Sequence, residues 1–172
     1  MTTRARQESS TTDPAERARA LALAMLDRAQ RSSADLRARL IAKDVDPAVA
    51  DAIVARYIEV GLLDDKSLAA MIARTRQAER GQAPRVIAAE LRRKGFAETD
   101  IESALEHITL DVQLESARTL AESKWGRMSG LNSEAKVRRL SAFLGRKGYP
   151  ASMVFGVVRD LIRADSEVAE PL

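Results

Sequence analysis

Cysteine is absent from the 172-residue chain, which excludes disulfides and thiolate zinc centres. Aromatic side chains make up only 3%. Alanine, leucine and isoleucine must therefore fill the core, which favours closely packed helices over a sheet sandwich. His107 is the only histidine. It stands beside Glu106 on an expected third helix and reads as a surface residue, with no second histidine to complete a metal site. No serine has a histidine or lysine base in a recognisable arrangement. The stretch Gly126-Arg127-Met128-Ser129-Gly130 lacks the strand and lysine that a phosphate-cradling loop needs, and reads as a linker. No run of about 18 apolar residues exists to span a membrane, and the first residues lack the apolar stretch of a signal peptide. These absences predict a cytoplasmic protein that is not an enzyme, with no cofactor, metal, membrane or small-molecule substrate; a monomer is the expected state, though no residue pattern decides it.

Charge is plentiful, at 31% of residues, but nearly balanced at a net +3. That balance does not identify a nucleic-acid binder, so the placement of charge has to decide.

The chain repeats itself. Leu36–Val45, Ile87–Phe96 and Leu140–Tyr149 align without gaps, at offsets of 51 and 53 residues. Apolar residues match at Leu36, Ile87 and Leu140, and again at Leu40, Leu91 and Leu144. A spacing of four puts each pair on one helix face. Lys43, Lys94 and Lys147 follow, then Asp44, Gly95 and Gly148, which suit a left-handed residue ending a helix. Val45, Phe96 and Tyr149 come next, where a side chain folds back over the last turn. The register runs on through Ala50, Ile101 and Val154, then Val54, Leu105 and Val158, then Tyr57, Ile108 and Leu161. Asp13-Pro14, Asp46-Pro47, Glu98-Thr99-Asp100 and Pro150-Ala151-Ser152 supply capping chemistry. Asp64-Asp65 suits the cap of a following helix better than a carboxylate pair. Leading helices are placed at about 15–30, 65–79 and 111–126.

The expected fold is all-α: an elongated tandem array of three three-helix repeat units, roughly 60 Å long at about 20 Å per unit. The expected segments are a disordered arm over 1–13, repeats over 14–63, 64–109 and 110–165, and a frayed tail over 166–172. Trp125 is expected at a core or junction position. Tyr57, Tyr149 and Phe96 are read as structural, and Phe143 is left undetermined.

This pattern resembles the RecX family of bacterial recombination regulators. The likeness rests on Gly61-Leu62-Leu63-Asp64-Asp65, on Arg92-Arg93-Lys94-Gly95-Phe96 preceded by Pro84-Arg85 and Glu90-Leu91, and on Ser33–Leu40. It covers roughly residues 15–163. The third unit is looser, with Gly145 inside its middle helix, and Asp44 stands where the family's first turn usually carries glycine. The resemblance implies tandem three-helix units and a partner, the RecA recombinase filament. Proteins of this family lie along that filament's groove, inhibit its ATPase and strand exchange, and alter its growth.

Basic residues cluster in the middle helices and the loops before them. The candidate partner-binding or DNA-binding residues are Arg37, Arg39 and Lys43 in the first unit, and Arg74, Arg76, Arg80, Arg85, Arg92, Arg93 and Lys94 in the second. Lys136, Arg138, Arg139, Arg146 and Lys147 complete the set in the third. Acidic residues gather instead in joints and third helices, as at Asp64, Asp65, Asp100, Glu102 and Glu106. In a stacked array the basic residues would form a stripe for an acidic filament groove or a phosphate backbone. The filament is the first expected partner. Direct binding of single-stranded or double-stranded DNA is the alternative.

Overall fold

The structure is a computed structural model that describes residues 13–169. The expected arm up to Thr12 and the end of the expected tail, from Glu170, lie outside the described residues. Among the described residues all regular structure is helical: α1 (Pro14–Arg28), α2 (Ser33–Ile41), α3 (Pro47–Glu59), α4 (Asp65–Arg80), α5 (Pro84–Arg93), α6 (Glu98–Leu105), α7 (Leu110–Gly126), α8 (Ser133–Arg146) and α9 (Ala151–Ala169). The chain divides into two compact units, one ending at Asp64 and one beginning at Asp65.

Local chemistry sets most helix starts. Asp13 accepts from the Ala15 N–H ahead of Pro14, and Asp46 accepts from Ala48 and Val49 around Pro47. Ser32, Thr109 and Asn132 cap α2, α7 and α8 in the same way. Each such cap satisfies an orphan amide of the first turn. The expected cap at Glu98-Thr99-Asp100 does not form. Ala97 holds the cap position without a side-chain bond, because Glu98 is already inside α6 and its carboxylate is taken by Arg92. Helix α6 is also shorter than expected and stops at Leu105. Ile108 and His107 therefore lie in the connection rather than in the helix. Ile108 is still buried, since a turn back to the Leu105 carbonyl (2.9 Å) folds it onto the core.

The three middle helices end alike. Val45, Phe96 and Tyr149 donate their N–H to Leu40, Leu91 and Leu144, at 3.1, 3.2 and 3.3 Å. The residue before each donates to Ile41, Arg92 and Gly145. This paired 6→1 and 5→2 bonding needs a left-handed residue at its centre. Gly95 and Gly148 adopt it at φ 82° and 94°, and Asp44 adopts it at φ 60°. A Cβ is unfavourable there, so Asp44→Gly is expected to stabilise the chain by about 0.5–1 kcal/mol. A rise in the urea midpoint with an unchanged m-value would show it.

Each repeat has its own core. The first holds Ala22, Leu36, Leu40, Ala50, Ile53 and Tyr57. The second holds Ala73, Ile87, Leu91, Phe96, Ile101 and Ile108. The third holds Ala121, Trp125, Leu140, Leu144, Tyr149 and Val157. All six matched leucine and isoleucine positions of the middle helices are fully buried. Alanines on α1, α4 and α7 let those helices approach closely, as an aromatic-poor composition requires.

Within the second unit, the turn after α8 docks on the loop after α4. The Ala83 N–H donates to the Lys147 carbonyl (2.9 Å), and the Tyr149 hydroxyl donates to the Gly81 carbonyl (3.0 Å). Gln77 donates to the Ser116 hydroxyl (3.0 Å). Gly148 has no room to spare, since a Cβ there would stand 2.5 Å from Val86 Cγ2.

Candidate functional site

The structure places Arg74, Arg76 and Arg80 on α4, the leading helix of the second repeat, and the other candidates on the middle helices or the turns that end them, and it sorts them all by what they already touch. In the first repeat, Arg37 pairs with Asp51 of α3. Asp35 takes both Arg31 and Arg39, each at 2.9 Å. Burial of Asp35 works to raise its pKa, but the hydrogen bonds from Arg39 and Arg31 outweigh it and hold the carboxyl below its usual range. Lys43 is exposed at the turn. Most of the first repeat's candidate charge is thus compensated locally.

In the second repeat, Arg76 reaches from α4 to α5 and grips Glu90 with two bonds of 2.8 and 2.7 Å. Both side chains are mostly covered, at 21% and 16% exposure, so Arg76 is a brace between helices rather than surface. Its hydrogen bonds push the Glu90 pKa down against the opposing effect of burial. A carboxyl depressed in the folded state stabilises above its unfolded pKa of about 4.3, and that contribution is lost as pH falls through the folded value. Glu90→Gln is therefore expected to cost roughly 1–2 kcal/mol at neutral pH and to flatten the loss of stability below about pH 4. Melting temperatures of the two proteins at neutral and acid pH would check this.

Arg92 is shared with Glu98 of α6, with one bond of 2.9 Å. Lys94 is exposed. The Lys136 side chain is mostly covered, with its ammonium 4.9 Å from the Trp125 ring centroid and 3.4 Å from the Asp165 carboxylate. Lys147 is turned onto the end of α4, where its ammonium donates to the Arg80 carbonyl, and it lies 5.6 Å from the Phe143 centroid. Trp125 is buried at 7% exposure in the third core.

The remaining candidates, Arg74, Arg80, Arg85, Arg93, Arg138, Arg139 and Arg146, are all exposed. None has an ion pair or side-chain hydrogen bond among the described residues. Four of these fall into register. At the offset of 53 residues, Arg85 matches Arg138 and Arg93 matches Arg146. Each pair is eight residues apart on its helix, about 12 Å along the axis and within about 80° around it. The first repeat carries Ala34 and Ala42 at the matching places. The repeated, unpaired arginine pair thus belongs to the second and third repeats. Phe143, partly buried against the third core, has the Lys124 and Lys147 ammonium groups at 5.5 and 5.6 Å from its ring centroid.

Among the described residues no group of three or more histidine, aspartate or glutamate side chains is placed to hold a metal. No described helix is long and apolar enough to cross a membrane.

A tandem of three-helix modules with uncompensated arginines on two of its middle helices defines a helical-repeat protein. Comparison with known proteins gives it a family. The models of the RecX first, second and third three-helix domains match residues 18–56, 64–105 and 111–158. The regulatory protein RecX of Thermobifida fusca is 35% identical over 149 residues, covering 87% of this chain and 80% of that protein. The regulatory protein RecX of Streptomyces coelicolor is 34% identical over 160 residues, covering 93% and 85%. The crystal structure of RecX from Lactobacillus salivarius superposes with a TM-score of 0.75 at 26% identity, covering 87% of this chain and 97% of that one. The chain belongs to the RecX family of regulatory proteins.

Proposed function

We propose that this chain binds the RecA recombinase filament and inhibits its ATPase and strand exchange, thereby restraining recombinational DNA repair. The observation that carries the reading is the arginine pair Arg85/Arg93, repeated as Arg138/Arg146, on helices whose buried faces are fixed by their own cores. An arginine paired within its own protein gains little from a new partner. One that is exposed and uncompensated has its full charge and its planar fork to offer. Family membership supplies the kind of partner, a regulated recombinase. The repeated arginines supply a means of holding an acidic surface.

Adding the purified protein to recombinase assembled on single-stranded DNA is the test. ATP hydrolysis and strand exchange are expected to fall with dose at low salt. Rates unchanged at saturating protein would refute the proposal.

A further inference from the structure

The third repeat carries a second cationic feature, centred on Phe143, which shares Arg146 with the proposed filament contact but adds an aromatic ring and Lys124 that the filament reading does not use. Phe143 lies on α8, partly buried against the third core and partly open to solvent. Two ammonium groups attend its ring: Lys124 from the last turn of α7 at 5.5 Å and Lys147 from the turn after α8 at 5.6 Å. Neither lysine meets a carboxylate among the described residues. Lys124 has the ring alone, and Lys147 has the ring and the carbonyl of Arg80. Arg146, unpaired and exposed, neighbours Lys147, and Arg139 precedes Phe143 by one helical turn on the same helix. Four cationic side chains and one aromatic ring thus stand together, and none of the four cations has an ion pair among the described residues.

We infer that this cluster binds a nucleotide unit, with a phosphate between the Lys124 and Lys147 ammonium groups and the base laid against Phe143. The chemistry follows from the parts. Two like charges brought to one ring repel each other, and an anion between them removes the repulsion. An exposed cation–π contact is weaker than a charge-assisted bond to phosphate, so flexible lysines leave the ring for an incoming phosphate. The vacated ring is then a stacking surface, which every base can use. Lys147 is already steered by its bond to the Arg80 carbonyl, so its position costs little further ordering. An acidic peptide would satisfy the lysines but leave the ring without a stacking partner. The nucleotide can come from a single strand or from a free nucleoside triphosphate. The inference does not depend on the filament reading.

The test compares the full chain with Lys124→Gln and Phe143→Leu, which keeps apolar volume while removing the π face. The probes are a fluorescein-labelled oligothymidylate of about 15 nucleotides and a fluorescent ATP analogue, at about 50 mM salt. Circular dichroism and melting temperature confirm folding, and Trp125 emission gives an internal report from α7. Phe143→Leu is expected to weaken oligonucleotide binding at least about fivefold, as loss of one stacked base does, and Lys124→Gln about threefold to tenfold. Weakening confined to the oligonucleotide identifies a strand as the source. Equal weakening for both probes identifies the nucleotide itself. If the folded variants bind both probes as the wild type does, or if the wild type binds neither, the inference is wrong. Loss of oligonucleotide binding with filament inhibition intact leaves the proposed function standing, and the converse result leaves this site standing.

Discussion

Leu91→Ala is expected to lower stability by about 2–5 kcal/mol, the range for emptying a fully buried leucine site. Leu91 has no exposed surface. It packs in the second core with Ile87, Phe96 and Ile101, and its carbonyl receives the Phe96 N–H that closes the helix-ending turn. The neighbours are held on three short helices, so the site has little freedom to collapse. The module matched by the second family domain spans only residues 64–105, and a core of that size leaves little stability in reserve. Urea denaturation gives the number. A loss below about 1 kcal/mol would mean that the site relaxes, or that the module leans on something other than its own core. Leu144→Ala, at the matching position of the third repeat, is expected to behave alike.

Reversing the four repeated arginines, Arg85, Arg93, Arg138 and Arg146, to glutamate is expected to weaken filament binding on the order of 100-fold, while exposed sites of this kind disturb stability little. Each reversal removes an attraction and adds a repulsion, so about 0.7 kcal/mol per site is enough for that total. The paired arginines provide the contrast. Arg92 shares its charge with Glu98, and Arg37 shares its own with Asp51, so Arg92→Ala is expected to cost less binding than Arg93→Ala. Arg76→Ala is expected to damage folding instead, because it leaves the mostly covered Glu90 carboxylate without its brace. Co-sedimentation with filaments, read beside melting temperature, separates these outcomes. Equal losses from Arg92 and Arg93 would show that internal pairing does not select the binding residues.

Much of the fold was legible because the signals were local and repeated. The spacing of Leu36 with Leu40, Ile87 with Leu91 and Leu140 with Leu144 marked the buried faces. The Asp44, Gly95 and Gly148 positions marked turns that all three repeats form. What was less legible depended on pairing across helices. Glu98 looked like a cap and is instead the partner of Arg92. The early end of α6 follows from a turn at Ile108 that periodicity alone cannot distinguish from another helical turn. Among the site residues, composition treated all basic side chains as equal. Only the three-dimensional structure separates Arg76, spanning two helices to Glu90, from Arg93, which has no ion pair or side-chain hydrogen bond among the described residues. The 53-residue register that links Arg85 to Arg138 was available in the sequence, but it was hidden among neighbouring arginines. Phe143 gained its meaning only when Lys124 and Lys147 were seen to converge on it.

The most direct measurement is wild-type binding to recombinase filaments across a salt series. Contact through exposed, uncompensated arginines should weaken steeply between about 50 and 200 mM salt, because screening reaches such charges fully. Affinity that holds constant over that range would place the contact elsewhere on the molecule and contradict the account.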